Sequence, residues 1–140
     1  MMNALDISAS GLIAQRTRLD AISSNIANMS TTRDENGDLQ PFQSRFVVLE
    51  TDPQLKTASG AIGVKVKSVQ RDNVEPTYKF EPNHPHAIAS GEKKGFVAYP
   101  NINMNAEFVD ALLATRAYEA NIGVMEVSKS MAQQALRIIG

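Results

Sequence analysis

Apolar residues recur every seven positions at both ends of this 140-residue chain. Near the N-terminus the repeat is Leu5, Leu12, Leu19 and Ile26; near the C-terminus it is Met104, Ala111, Tyr118, Met125, Ala132 and Ile139. Seven-residue apolar spacing marks helices that pack along one another. Heptads at both termini, with a different kind of sequence between them, describe a part built for helix-to-helix assembly. The ends can pair within the chain, and whatever they leave uncovered can pair with neighbours.

The first helix is predicted over residues 4–28. Its apolar stripe is Leu5, Leu12, Leu19, Ile22, Ile26 and Met29, with Ala4, Ser8, Ala9, Ser10, Gly11 and Ala14 between them. Small residues let a second helix approach closely. Gly11 lowers helix stability by roughly 1 kcal/mol against Ala, so close packing must return something. Asn25, Asn28 and the Ser30-Thr31-Thr32 run end the helix, because their side chains compete for backbone hydrogen bonds.

The second helix is predicted over residues 105–139, with Asn103 or Asn105 as its cap. Its stripe is taken as positions 104, 108, 111, 115, 118, 122, 125, 129, 132, 136 and 139, with Thr115 and Lys129 as the polar exceptions. The residues preceding the heptad positions, Ala117, Val124, Met131 and Ile138, are also apolar. The apolar face therefore widens in the second half. One partner needs only a narrow seam, so a wide face predicts contact with more than one neighbour.

Residues 33–104 read differently. Arg45–Glu50, Val64–Val69, Thr77–Phe80 and Phe96–Tyr99 are predicted strands, and Ser59–Gly63 a turn. Pro76, Pro82, Pro85 and Pro100 break up any helix there. The expected fold class is α+β: long N- and C-terminal helices forming a coiled-coil-like layer, with a small, mostly antiparallel β module between them. The expected divisions are 1–32, 33–104 and 105–140.

Nothing in the chain competes with helix pairing as a source of function. Net charge is -1, which argues against nucleic acid as a partner. No apolar run approaches the roughly 18 residues that span a bilayer, and no basic-then-apolar secretory leader is visible. With no Cys, a thiolate metal site is impossible. Asp34-x-Asn36-x-Asp38 begins like a calcium loop, but Leu39 stands where Gly is needed and Arg45 where the final Glu is needed. His84 and His86 flank Pro85 in a predicted turn, with no further His to complete a site. Asn28-Met29-Ser30 has the form of a glycosylation acceptor and reads most simply as a helix end. No phosphate-binding loop or nucleophile elbow is present. The expectation is no catalytic, metal or cofactor site.

The segment Ser8-Ala9-Ser10-Gly11-Leu12-Ile13-Ala14-Gln15-Arg16, continuing through Leu19-Asp20, Ser24-Asn25-Ile26-Ala27-Asn28 and Thr31-Thr32, resembles the N-terminal signature of bacterial flagellar rod and hook proteins. Gly95-Phe96-Val97-Ala98-Tyr99-Pro100-Asn101-Ile102-Asn103, then Glu107-Phe108-Val109-Asp110 and Ala114-x-Arg116-Ala117-Tyr118-Glu119-Ala120-Asn121, narrows this to basal-body rod proteins of the FlgC type. The resemblance covers essentially the whole chain, and the short middle region fits it. One departure is His84-Pro85-His86-Ala87 with the longer Ser90-Gly91-Glu92-Lys93-Lys94, where the family often has His-Pro-Asp-Ala running quickly into Gly-Tyr-Val.

The resemblance implies a structural subunit of the proximal rod that polymerises in the periplasm and transmits torque to the hook. Its terminal helices would form an inner tube and its middle module would pack outside. Its partners would be copies of itself, other rod proteins and, during secretion, the flagellar type III export apparatus, with no cleaved signal. The alternative is a soluble helical export chaperone or adaptor. The candidate subunit-interface residues are Leu5, Leu12, Leu19, Ile22, Ile26, Ala111, Tyr118, Ile122, Val124, Met125, Met131, Leu136 and Ile139.

Overall fold

A computed structural model describes residues 2–140. In chain order the elements are α1 (Met2–Ala27), β1 (Arg45–Lys56), β2 (Ile62–Arg71), β3 (Thr77–Phe80), β4 (Phe96–Tyr99) and α2 (Met104–Ile139). The class is α+β, two long terminal helices flanking a small antiparallel region. That region is two separate two-stranded sheets, β1–β2 and β3–β4.

α1 stops where its side chains begin to serve the backbone. Asn28 Nδ2 donates back to the Ser24 carbonyl at 2.9 Å, and the Thr31 hydroxyl donates to Asn28 Oδ1 at 3.0 Å. α2 is capped by Asn103, whose side chain accepts from the amides of Asn105 and Ala106. Glu107 in its first turn and Arg137 in its last suit the helix dipole. At ~1.5 Å per residue, α2 is about 54 Å long.

The helices run antiparallel. Gly11 faces Asn121, Arg18 lies 3.6 Å from Asp110, and Asn25 Nδ2 donates to Glu107 Oε2 at 3.2 Å. These three ties place the start of α1 level with Ser130, so the last residues of α2 run past it. A Cβ on Gly11 would come within 2.9 Å of the Asn121 side-chain oxygen and nitrogen. The glycine therefore leaves the room that the Asn121 side chain fills. Gly11→Leu is expected to destabilise the chain by about 1–3 kcal/mol through overpacking. The check is the denaturant midpoint of the full chain, and Asn121→Ala should restore part of the loss. An unchanged midpoint would mean that the helices have room to spare there.

The β1–β2 pair packs on another side of α1, so α1 is covered by both α2 and the hairpin. Two polar side chains hold the hairpin in place. The Ser10 hydroxyl accepts the Val64 N–H at 3.1 Å while donating to the Ile7 carbonyl. Asn25 accepts the Arg45 N–H at 2.7 Å and donates to the Arg45 carbonyl at 2.9 Å. Ser10 and Asn25 are about 22 Å apart along the helix. Val64 pairs with Thr51, about 20 Å from Arg45 along β1. The two spacings match, so β1 lies along α1 in the opposite direction.

The hairpin is longer than its sequence pattern predicts. β1 runs on through Pro53, where an irregularity between Asp52 and Lys56 takes up the proline that cannot donate to the ladder. Ile62 and Gly63, expected in a turn, belong to β2; the turn is confined to residues 57–61, with Gly60 at φ +89°. Gly63 is buried because a Cβ there would meet Leu55 at 2.8 Å and the Ser10 hydroxyl at 3.1 Å. β3 and β4 occupy the predicted residues, with Phe80 and Phe96 edge to face at 5.2 Å and Val97 fully buried.

Candidate functional site

The described chain has little core of its own. Its buried apolar residues are Ala14, Ala21, Ile22, Val97 and Ala114, three of them alanines. The chain exposes 9686 Å². A compact monomer of this mass would expose about 7,100 Å². The surplus comes with a concentration of large exposed apolar side chains on α2.

Among the elements of the fold, α2 touches only α1. The residues it turns inward follow an alternating spacing of four and three: Glu107, Ala111, Ala114, Tyr118, Asn121, Met125, Ser128, Ala132 and Ala135. Half of this seam is the predicted heptad. The other half corrects the predicted stripe, which placed positions 108, 115, 122, 129 and 136 beside it. The structure instead uses 107, 114, 121, 128 and 135, where residues are small or polar. Those residues allow close approach and hydrogen bonding, as Gly11 with Asn121 and Asn25 with Glu107 show. Phe108, Thr115, Ile122, Lys129 and Leu136 are exposed.

The candidate interface residues therefore divide. Leu5, Leu12, Leu19, Ile22 and Ile26 are half-buried or buried in α1, and Ala111, Tyr118 and Met125 are half-buried in the seam. Val124, Met131, Leu136 and Ile139 are exposed, at 52%, 58%, 69% and 84%. Leu136 and Ile139 lie on the part of α2 that runs past the start of α1.

Val124 and Met131 belong to a second stripe, about 100° around α2 from the first. It runs through Leu113, Ala117, Ala120, Val124, Val127, Met131 and Ile138, with only Gln134 polar at the same spacing. Leu113, Val127 and Ile138 were not among the candidate residues, nor were Phe108, Val109 and Leu112 near the start of α2, all of them exposed. The four-three spacing between Leu113, Ala117, Ala120, Val124, Val127 and Met131 was the signal that would have found the stripe. By contrast, the exposed face of α1 carries Asp6, Arg16, Asp20 and Ser23, with Ile13 its large apolar exception. α2 is thus a helix with two seams, one filled within the chain and one open.

The polar clusters elsewhere are turns. Asp34 Oδ1 accepts from the amides of Asn36 and Asp38, and Gly37 sits at φ +85°. Among the described residues, no group of three or more His, Cys, Asp or Glu side chains is placed to hold a metal ion. Among the described residues, no helix is long and apolar enough to cross a membrane.

Comparison with known proteins places this geometry. Residues 5–33 match the family described as flagella basal body rod protein, and residues 93–138 match the flagellar basal body rod FlgEFG protein C-terminal family. The flagellar basal-body rod protein FlgC of Borreliella burgdorferi is 37% identical, over 99% of this chain and 97% of its own. The chain belongs to the FlgC-type flagellar basal-body rod proteins. FlgC of Bacillus subtilis is 36% identical over 97% of this chain and 96% of its own, and FlgC of Salmonella typhimurium is 36% identical over 99% and 97%. The two family matches fall on α1 and on the segment from the end of the 81–95 loop through α2. In this rod protein they are the two elements that make the filled seam, and the second of them carries the open one.

Proposed function

We propose that this structural rod subunit polymerises through its two terminal helices into the proximal part of the flagellar rod and passes torque toward the hook. The observation that carries the reading is the open second stripe of α2. A subunit whose longest helix keeps a continuous apolar seam uncovered is complete only beside a neighbour. Each Leu, Ile, Val or Met covered there contributes roughly 1.5–3 kcal/mol. Ordering the chain costs about 1–2 kcal/mol per residue, which offsets much of that gain. Assembly and final ordering of the terminal segments are therefore coupled. The partners are copies of this chain and other rod proteins, with the middle region outside the helical layer.

The same balance suits export. A chain with so small an internal core unfolds at low cost, can be threaded through the flagellar type III apparatus, and becomes rigid in the periplasm once neighbours cover α2. In a deletion strain complemented with a tagged copy, the protein is expected to co-purify with basal bodies, and the strain lacking it to build neither rod nor hook. A tagged protein that stays in the cytoplasm bound to one flagellar partner would instead identify an export chaperone.

A further inference from the structure

Seven of the chain's eight glycines answer to something within the fold. Gly37, Gly60, Gly91 and Gly95 have positive φ, Gly11 and Gly63 sit against side chains that a Cβ would strike, and Gly140 caps α2. Gly123 is the exception. It lies in the middle of α2, where glycine is a poor helix former, and a Cβ there would meet nothing within 4 Å. Ala120, Gly123, Val124 and Val127 stand at i, i+3, i+4 and i+7, the four-residue hole into which a packed helix inserts one side chain. Gly123 lowers the wall of that hole on the side away from the filled seam. The hole lies in the middle of the open stripe.

The outer face of α1 offers one side chain of the right kind. Ile13, 65% exposed, is the large apolar residue among Asp6, Arg16, Asp20 and Ser23. Spacings of three and four put Ile13, Arg16 and Asp20 on one line of the helix. The open hole at Gly123 and the exposed Ile13 do not meet within the chain. Between two copies they can. Subunits set side by side about one axis all point the same way, so a neighbour's α1 meets α2 antiparallel, as it does within the chain. A step forward along α1 is then a step back along α2. With Ile13 seated between Gly123 and Val124, Arg16 comes beside Glu119 and Asp20 beside Arg116, opposite charges in both places. Among the described residues, Arg16 and Asp20 make no ion pair in their own chain, and Arg116 and Glu119 pair only with each other, at 3.1 Å on the exposed surface.

We propose that Ile13 on α1 of one copy seats in the Ala120–Gly123–Val124–Val127 hole on α2 of the next, with Asp20 set against Arg116 and Arg16 against Glu119 at its rim. This rests on the rod reading above and names what covers the middle of the open stripe: a second copy of this chain, through the outer face of α1. The glycine that weakens α2 in the isolated subunit is thereby a fitting for the neighbour.

The test is cross-linking between two differently tagged copies in one deletion strain, one Asp20→Cys and the other Arg116→Cys. The chain has no Cys of its own, and each copy carries one thiol, so a link between the two tags joins two copies. Basal bodies are purified and treated with a thiol cross-linker whose reach matches the 8–10 Å, roughly, between packed helix axes. A product bearing both tags is expected. The pair Asp20→Cys with Ser130→Cys, which a parallel α1 would bring together, is expected to give none. Basal bodies that hold both copies without the doubly tagged product overturn this inference alone, as does a link from Arg116→Cys to a different rod protein or a product from the Ser130→Cys pair only. A wild-type tagged chain absent from basal bodies overturns the rod reading and this inference with it. If a cysteine copy fails to enter, a size swap decides. Gly123→Leu is expected to leave the isolated chain's denaturant midpoint no lower and to cut its incorporation by about tenfold or more, because it fills the hole. Ile13→Ala in the same chain is expected to restore much of the incorporation. Full incorporation of Gly123→Leu, or no recovery in a folded double variant, overturns the proposal.

Discussion

Asn25→Ala is expected to loosen the β1–β2 pair from α1 and to lower the stability of the folded chain by about 2–4 kcal/mol, among the larger effects a single polar substitution can have. The Asn25 side chain is 2% exposed. Its carboxamide binds both backbone groups of Arg45 and also reaches Glu107 on α2. Removing it leaves an N–H, a carbonyl and a carboxylate oxygen short of a partner at the point where helix, hairpin and second helix meet. Alanine's better helix propensity returns less than 1 kcal/mol. Asn25→Asp separates the roles of the two ends of the amide. It keeps the acceptor for the Arg45 N–H but turns an anion toward the Arg45 carbonyl and the Glu107 carboxylate. The new carboxyl would be raised above its unfolded value of about 3.9. The damage is then present at neutral pH and recovers as pH falls through the raised value. Denaturant midpoints at pH 7.5 and pH 4, with exchange of the Arg45 amide, check both variants. A midpoint within 0.5 kcal/mol of the parent for Asn25→Ala, roughly the scatter of neutral surface changes, would show that packing alone seats the hairpin.

Asn25 also shows where the sequence stops being legible. As a residue type near a helix end it competes for local backbone bonds, and that is how it reads in isolation. Only the fold reveals that its amide serves a strand twenty residues later. The periodic elements were readable because their pattern is local. Both helices, β3 and β4 fall where apolar spacing, caps and prolines put them. β1 and β2 came out short for one shared reason. Pro53 and Gly63 are breakers by propensity, yet an irregularity absorbs the proline and the glycine is needed for close contact with Leu55 and Ser10. The in-chain seam was half legible. Ala111, Tyr118 and Met125 announce themselves by hydrophobicity. Ala114, Asn121 and Ser128 do not, because they act by being small or by hydrogen bonding. Apolar spacing therefore points to the neighbouring positions, where Phe108, Ile122 and Leu136 stand. Width was the sounder signal. The apolar run just ahead of each heptad position is the edge of the stripe that the fold leaves open.

Val124→Asp or Val127→Asp is expected to leave the isolated chain folded and to abolish its place in the rod. These side chains are 52% and 60% exposed, so their replacement should shift the denaturant midpoint by no more than about 0.5 kcal/mol. In an assembled seam the same carboxylate would be buried without a partner. That costs about 3 kcal/mol or more, two orders of magnitude or more in the affinity of each contact. Leu19→Asp is the contrast: it places its charge in the face of α1 that is already half-buried, so folding and assembly should fail together. Glu126→Gln, on the polar side of α2, should disturb neither. Swimming in soft agar and a basal-body blot read assembly, while the denaturant midpoint reads folding. Separating the two distinguishes a helix that merely completes its own subunit from one that holds subunits together. If Val124→Asp and Val127→Asp both swim normally while Leu19→Asp does not, the helices matter only for in-chain packing, and the open stripe is not where the rod is made.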